Sequence, residues 1–265
     1  MYAIDHYIER RVEEQVHHWE QPDNELILLE TEQESIKVPS CFPDELSEEL
    51  MFGRLQQIQQ VTEAIQSGSV SVVWITGGPG FGKTTVASKA AHELNRLERE
   101  RAILFCSLRC TKRFHDAAIL TTLTCSQNQT HLPEKPKQWL LNWSKQQVSK
   151  VTFVLDNADD VLEYDDTNDF LNLLEEMKKF SENKVTSIIT SRKAYTTVSP
   201  ESSKNVRLAT LPVEESEKVL LSRVPDQENR KKLSKVDKLA ELCGFVPLAL
   251  RIAGSSLSAD YNEDE

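Results

Sequence analysis

With 265 residues and a formal net charge of −11, the chain is long enough for one large domain or two smaller ones. It is too acidic to favour non-specific contact with nucleic acid or anionic lipid. No apolar run approaches the ~20 residues that cross a bilayer, and residues 1–9 lack the basic stretch followed by an apolar one that marks a signal peptide.

Residues 1–20 place Ile4, Tyr7, Ile8, Val12, Val16 and Trp19 at helical spacing on an otherwise charged segment. Such a stripe needs a partner, either an upstream element or a docking surface. Residues 22–45, with Pro22, Pro39 and Pro43 among acids, read as a linker with at most one short strand at 26–29. From Leu46 the pattern tightens into a helix bearing Leu55, Ile58, Val61 and Ile65, which Ser67-Gly68-Ser69 ends. The apolar run Val70, Val72, Val73, Trp74, Ile75 is a strand that empties into Gly77-Gly78-Pro79-Gly80-Phe81-Gly82-Lys83-Thr84-Thr85. An amphipathic helix follows, with Val86, Ala87, Ala90, Ala91, Leu94 and Leu97 on one face.

Residues 102–108 form a second strand, a helical segment surrounds residues 117–123, and a polar loop runs through Pro133 and Pro136. Trp139, Leu140, Trp143 and Val148 mark another amphipathic helix. The run at 151–155 is a buried strand ending at Asp156, and Phe170, Leu171, Leu173, Leu174, Met177 and Phe180 stripe a helix. Residues 185–190 and 206–208 supply a fourth and a fifth strand. This alternation specifies an α/β fold whose parallel sheet is covered on both faces. From Leu211 onward no strand remains. Residues 213–224, 233–243 and 247–257 read as helices of a small bundle, the last opened by Pro247 at a tolerated first-turn position. The expected organisation is a helix and linker at 1–45, a nucleotide-binding domain at 46–211, a helical subdomain at 212–257 and a tail at 258–265.

The chemistry concentrates where strands end. The G-x-x-x-x-G-K-T spacing lets backbone N–H groups of Gly78, Pro79-flanked Gly80, Phe81 and Gly82 turn around a concavity sized for phosphate, and the helix opening at Lys83 adds its positive end. Lys83 would then pair with β- and γ-phosphates, Thr84 would ligate Mg²⁺, and Thr85 would reach the α-phosphate. The plain alternative is a glycine-rich turn with a chance lysine. Asp156 is the candidate Mg²⁺ partner, with a helix N-cap as its alternative. The next residue, Asn157, stands where many hydrolytic relatives carry a second carboxylate, and an amide cannot take up a proton, so slow turnover is expected. Asp159 and Asp160 lie close by, and one of them is a candidate substitute for that carboxylate, with a solvated loop cluster as the favoured reading. Arg192, closing Thr190-Ser191-Arg192, is a candidate γ-phosphate sensor or else a partner of a loop carboxylate.

The five cysteines, Cys41, Cys106, Cys110, Cys125 and Cys243, are scattered and odd in number, which fits reduced thiols in the cytoplasm rather than a disulfide frame. Cys106, Cys110 and His115 lack the second pair that a tetrahedral metal site needs, and read as a core thiol with loop neighbours. Asn128-Gln129-Thr130 matches a glycosylation sequon and reads as accidental in a cytosolic protein.

Taken in order, Phe52-Gly53-Arg54, the loop at 77–85, residues 151–160, Thr190-Ser191-Arg192 and the stretch 242–250 (LCGFVPLAL) resemble the NB-ARC domain of the STAND class of signalling NTPases. That class includes plant disease-resistance proteins, apoptotic-protease activating factor and bacterial regulators. The resemblance covers roughly residues 46–257 and implies a P-loop NTPase with a five-stranded sheet in the order 5-1-4-3-2. It further implies that Arg54 lines the adenine and ribose side, that Lys83, Asp156 and Arg192 act on the phosphates, that Thr84 and Asp156 hold Mg²⁺, and that Pro247 closes over the base. ATP or ADP is the implied cofactor, and an ATP-dependent homo-oligomer and flanking effector and sensor domains are the implied partners. Leu55, Asn157 and Phe245 depart from the family pattern, which touches the adenine side and hydrolysis rather than phosphate binding. The family's winged-helix subdomain is expected to be missing. The rival classes are a P-loop small-molecule kinase, a DNA-associated ATPase regulator and a scaffold that keeps the loop only for packing.

Overall fold

The computed structural model describes residues 40, 52–125, 133–163, 167–195, 200–224 and 235–260. In chain order these form α1 (Leu55–Gln66), β1 (Val72–Thr76), α2 (Lys83–Leu97), β2 (Ala102–Ser107), α3 (Phe114–Cys125), α4 (Pro136–Lys145), β3 (Val151–Asp156), α5 (Asp159–Glu163) and α6 (Thr167–Phe180). There follow β4 (Val185–Ser191), a 3₁₀ turn at Pro200–Ser202, β5 (Ser203–Arg207), α7 (Val213–Leu221), α8 (Val236–Leu242) and α9 (Pro247–Asp260). The readings for residues 1–39, the sequon and the tail at 261–265 lie outside the described residues.

The five strands make one sheet in the order β2-β3-β4-β1-β5, which is the expected 5-1-4-3-2 read from the other edge, and every pairing is parallel. β1, β3 and β4 are buried along their whole length. Strands covered on both faces read as unbroken apolar runs because neither set of alternating side chains meets water. Side-chain alternation then divides the core. Val73, Ile75, Val154, Ile188 and Val206 face α1 and α2. Trp74, Leu104, Phe153, Leu155 and Ile189 face α3, α4, α5 and α6. The connection leaving β1 therefore runs to one face and the connection leaving β3 runs to the other. A crevice opens between them at the carboxyl edge of the sheet, where open α/β sheets take their ligands.

The helical stripes end short of their expected reach. Leu55 and Leu97, at the outer ends of α1 and α2, are exposed, as are Phe180 at the end of α6 and Val148, which lies beyond α4 altogether. A helix covers only as much sheet as lies beneath it, and its overhanging turn meets solvent whatever the period. The sequence reading also missed α5. The fifth strand begins at Ser203 and stops at Arg207, so Leu208 lies just past it.

A third apolar cluster lies off the sheet. Leu211, Val219, Leu220, Ala240 and Leu250 form its buried centre, with Phe52 and Phe245 packed against it. α9 lies against α7 so closely that a β-carbon added at Gly254 would meet the Leu220 carbonyl oxygen at 2.3 Å and the Arg223 β-carbon at 3.1 Å. Gly254→Ala gains about 1 kcal/mol of helix propensity and should lose about 1–3 kcal/mol to overpacking. A net drop in the unfolding midpoint in denaturant is the expected outcome. A rise in that midpoint would mean that the two helices can part without cost.

Candidate functional site

β1, β3 and β4 bring their ends to one edge in register, with Thr76 opposite Ser191 and Leu155 opposite Ile189. The residues that follow are therefore neighbours. The Thr84 hydroxyl, in the first turn of α2, donates to both Asp156 carboxylate oxygens at 2.9 and 3.1 Å. The Thr190 hydroxyl donates to Asp156 Oδ1 at 2.6 Å and accepts the Asn157 backbone N–H at 2.8 Å. Asp156 is buried, and a carboxylate removed from water needs such donors.

Asn157 sits at φ 60°. This left-handed conformation suits asparagine and glycine, whereas a glutamate there would be strained. The position opposed to catalysis in the sequence reading thus has a backbone reason for its side chain. Asp159 corrects that reading. It is buried rather than solvated, it lines the cavity, and its Oδ1 accepts the Arg192 backbone N–H at 2.6 Å. The Arg192 Nε stands 3.9 Å from Asp159 Oδ2, with the side chain more than half exposed. The guanidinium is thus both a cavity wall and a loose partner of a loop carboxylate.

The loop between β1 and α2 turns on glycines with positive φ at 77, 80 and 82. Gly80 has φ 75°, and a β-carbon there would lie 2.9 Å from the Leu248 β-carbon, so only glycine allows α9 to approach this closely. No side chain caps the first turn of α2, which leaves its N–H groups and positive end for an anion. The Lys83 ammonium donates to the carbonyls of Gly77 at 2.9 Å and Gly78 at 3.1 Å. Burial pushes its pKa down, against the upward pull of Asp159 and Asp156, while Arg192 adds to the lowering. Gly78 itself stands behind the cavity wall, where a β-carbon would strike the Phe81 ring at 2.9 Å.

Around these groups lies a cavity of about 390 Å³, within the size range of small-molecule sites. Pro79, Gly80, Phe81, Gly82, Lys83, Thr84 and Thr85 form one wall, with Asn157, Asp159, Thr190 and Arg192 beside them. The other wall is apolar: Phe52, Leu211, Val219, Pro247 and Leu248. Pro247, expected to close over the base, lines this apolar wall as the first residue of α9. Arg54 lines the cavity, where its Nη2 donates to the carbonyls of Phe81 at 3.1 Å and Ala209 at 2.7 Å and braces the loop against the chain leaving β5, while its Nε is buried without an acceptor among the described residues. Burial lowers its pKa. Leu211, Val219, Thr190 and Arg251 escaped the sequence reading. Of these, only Thr190 carried a signal, as the residue that opens the strand-end Thr190-Ser191-Arg192.

The donor set suits a magnesium ion. One hydroxyl and one carboxylate already converge, and Mg²⁺ takes one or two carboxylates and fills its octahedron with waters and phosphate oxygens. Among the described residues no cluster of three or more His, Cys, Asp or Glu side chains offers a cage. Cys106 is a buried thiol whose pKa burial raises, against the lowering by hydroxyls of Thr124 and Thr121. Cys110 is exposed. No helix among the described residues is long and apolar enough to cross a membrane.

Comparison with known proteins agrees with the fold. A chain of Drosophila ORC bound to DNA superposes with a TM-score of 0.53 at 15% identity, over 80% of this chain and 53% of that one. C. elegans PCH-2 gives 0.51 at 16% identity, over 77% and 62%. A Walker-type ATPase of Pyrococcus abyssi gives 0.55 at 13% identity, over 82% and 69%. The chain thus spans only part of the proteins it resembles, and identities this low speak for the fold alone. No curated protein matches it in sequence. The family model that does match is that of the NACHT domain, over residues 71–225. That match runs from β1 through the phosphate loop and the strand-end acids into α7, and the chain belongs to the NACHT domain family of P-loop NTPases.

Proposed function

We propose that the chain is an ATP- and ADP-binding switch module of a cytoplasmic signalling protein, with slow ATP hydrolysis at most. The observation that carries this reading is the two-sided cavity. Its lining gathers Arg54, Lys83 and Arg192 on the polar side and Arg251 on the helical side, in a chain of net charge −11. Cations concentrated in a crevice of an acidic protein attract a compact polyanion. The apolar side, with Pro247 and Phe52, is suited to a flat base. We take residues 46–211 as the nucleotide-binding domain and 212–257 as the helical subdomain. Lys83 and the first turn of α2 would hold the phosphates, and Thr84 and Asp156 would hold Mg²⁺.

The switching mechanism is the one implied by the NB-ARC resemblance, and membership in the NACHT family supports it at the level of the class. A γ-phosphate adds contacts to Lys83, Mg²⁺ and Arg192 that a diphosphate lacks. Only such differential contacts shift a conformational equilibrium. The element they would bias is the helical layer, which touches the loop directly: the Leu248 N–H donates to the Gly80 carbonyl at 3.2 Å. ATP-dependent self-assembly and partners on flanking domains follow from the same resemblance. Asp159, buried beside Lys83 and Arg192, is the carboxylate placed to orient a water in the slow hydrolysis.

Three measurements test this reading. In calorimetric titration, Lys83→Ala should weaken ADP and ATP by about ten- to a hundredfold, the value of charge-assisted bonds to phosphate. Equal affinity in the variant would move the site elsewhere. Asp156→Asn should remove the Mg²⁺ dependence of ATP binding while leaving metal-free binding of ADP nearly as before. A variant that still responds fully to Mg²⁺ would exclude Asp156 as the metal's partner. Steady-state turnover near 10³ per second, the upper range of ordinary enzymes, would refute slow hydrolysis.

A further inference from the structure

The cavity holds a cation that the phosphate loop does not account for. Arg251 lies four residues after Pro247 on α9, one turn further along the same helical face, and both line the cavity. The other cavity cations have acceptors. Lys83 donates to two loop carbonyls, Arg54 bonds two more, and Arg192 stands near Asp159. The Arg54 Nε is itself buried without an acceptor among the described residues, but its Nη2 is bound at both carbonyls, and Arg251 has no such anchor. Its Nε is buried with no acceptor among the described residues. A charged neighbour is another cation, Arg223, just past the end of α7.

Burial lowers the Arg251 pKa, and Arg223 lowers it further. A partly desolvated guanidinium beside a like charge raises the energy of the protein until an anion arrives. The direction of the side chain indicates which anion. The first turn of α9 rests on the phosphate loop through the bond from the Leu248 N–H to the Gly80 carbonyl. A β-carbon at Gly80 would also touch Leu248 and Val246. Long helical side chains lean back toward the N-terminus of their helix. Arg251, one turn along α9, lines the same cavity as that loop, and this general lean favours an approach to the loop rather than to the far end of the helix.

We propose that Arg251 is a phosphate-contacting residue supplied by the helical layer: its guanidinium takes a phosphoryl oxygen of the bound nucleoside di- or triphosphate and fastens α7, α8 and α9 onto the loop. The inference rests on the nucleotide-binding reading above and adds to it a contact from the opposite wall. A ligand gripped by Lys83 from the sheet side and by Arg251 from the helical side closes the cavity on itself, so occupancy of the site becomes a force on the helical layer.

The test compares wild type, Arg251→Ala, Arg251→Lys and Lys83→Ala, with ADP, ATP and adenosine titrated against each and thermal midpoints recorded with and without nucleotide. Arg251→Ala should weaken ADP and ATP about tenfold, the loss of one charged hydrogen bond. It should leave competition by adenosine as in wild type and leave the nucleotide-free midpoint equal or higher, because an unpaired cation has been removed. Arg251→Lys should recover part of the affinity. An equal loss for adenosine and ADP would place the guanidinium on the base, and a lowered nucleotide-free midpoint with unchanged ADP affinity would make it a packing residue. Either result overturns the proposal. If wild type and Lys83→Ala alike bind neither ADP nor ATP, the nucleotide reading itself fails, whereas wild-type binding with unaltered Arg251→Ala sinks only the contact from α9.

Discussion

A buried carboxylate held by two hydroxyls sets the geometry of the sheet's ligand edge. Asp156 closes β3, Thr84 belongs to the helix that follows β1, and Thr190 belongs to β4, so three consecutive strands of the sheet converge on one side chain. Burying a carboxylate is costly unless donors surround it, and here the donors come from segments 72 and 34 residues away in the chain. The same Thr190 hydroxyl receives the Asn157 N–H, and the Thr190 carbonyl receives that of Ala158 at 3.0 Å. The turn after β3 is thereby pinned to β4 by two bonds, which carries Asp159 into position beside Arg192 and Lys83. The phosphate loop, the metal-type acid and the second acid are thus one connected assembly.

The opposite wall is held by weaker means. Between the sheet and the helical layer run the Leu248 to Gly80 bond and the bond from the Leu211 N–H to the Phe245 carbonyl at 2.9 Å, together with the packing of Phe52 against the third apolar cluster. The two backbone bonds contribute about 1 kcal/mol each, comparable with what one ligand contact can add, and the rest of the tether is non-directional apolar packing. A cavity with one rigid wall and one lightly tethered wall is suited to reporting its contents.

The strands were legible because β1, β3 and β4 are buried on both faces, so their sequences are continuous apolar runs, and the loop after β1 was legible because cradling phosphate with main-chain amides demands glycine at fixed spacing. The apolar wall was not. Phe52, Leu211 and Val219 lie far apart in the chain, carry no spacing that relates them, and meet only because the helical layer folds back over the loop. Asp159 was misread for a different reason. Two adjacent acids after an Asn-Ala pair look like a solvated turn, yet they open α5, whose first residue points inward where a backbone N–H awaits it. The family was legible at the level of its class. A phosphate loop and a strand-end acid are imposed by the chemistry of a magnesium nucleotide, and they recur wherever that ligand is bound, so they separate related families poorly. The match over residues 71–225 to the NACHT domain supplies that distinction.

On the proposed reading, slow hydrolysis follows from how the second acid is held rather than from its absence. The backbone at Asn157 is left-handed, a conformation that disfavours glutamate and suits asparagine, and the carboxylate lining the cavity is that of Asp159. There the carboxylate already accepts a short bond from the Arg192 N–H and faces the Lys83 ammonium. A carboxylate oxygen already engaged in such a bond is less free to accept from an attacking water. Catalysis would require Arg192 or Lys83 to shift toward a γ-phosphate and release Asp159. Hydrolysis is then coupled to the arrangement of the same cations that sense the nucleotide, so a module built this way would keep its triphosphate until the wall opposite the loop has moved.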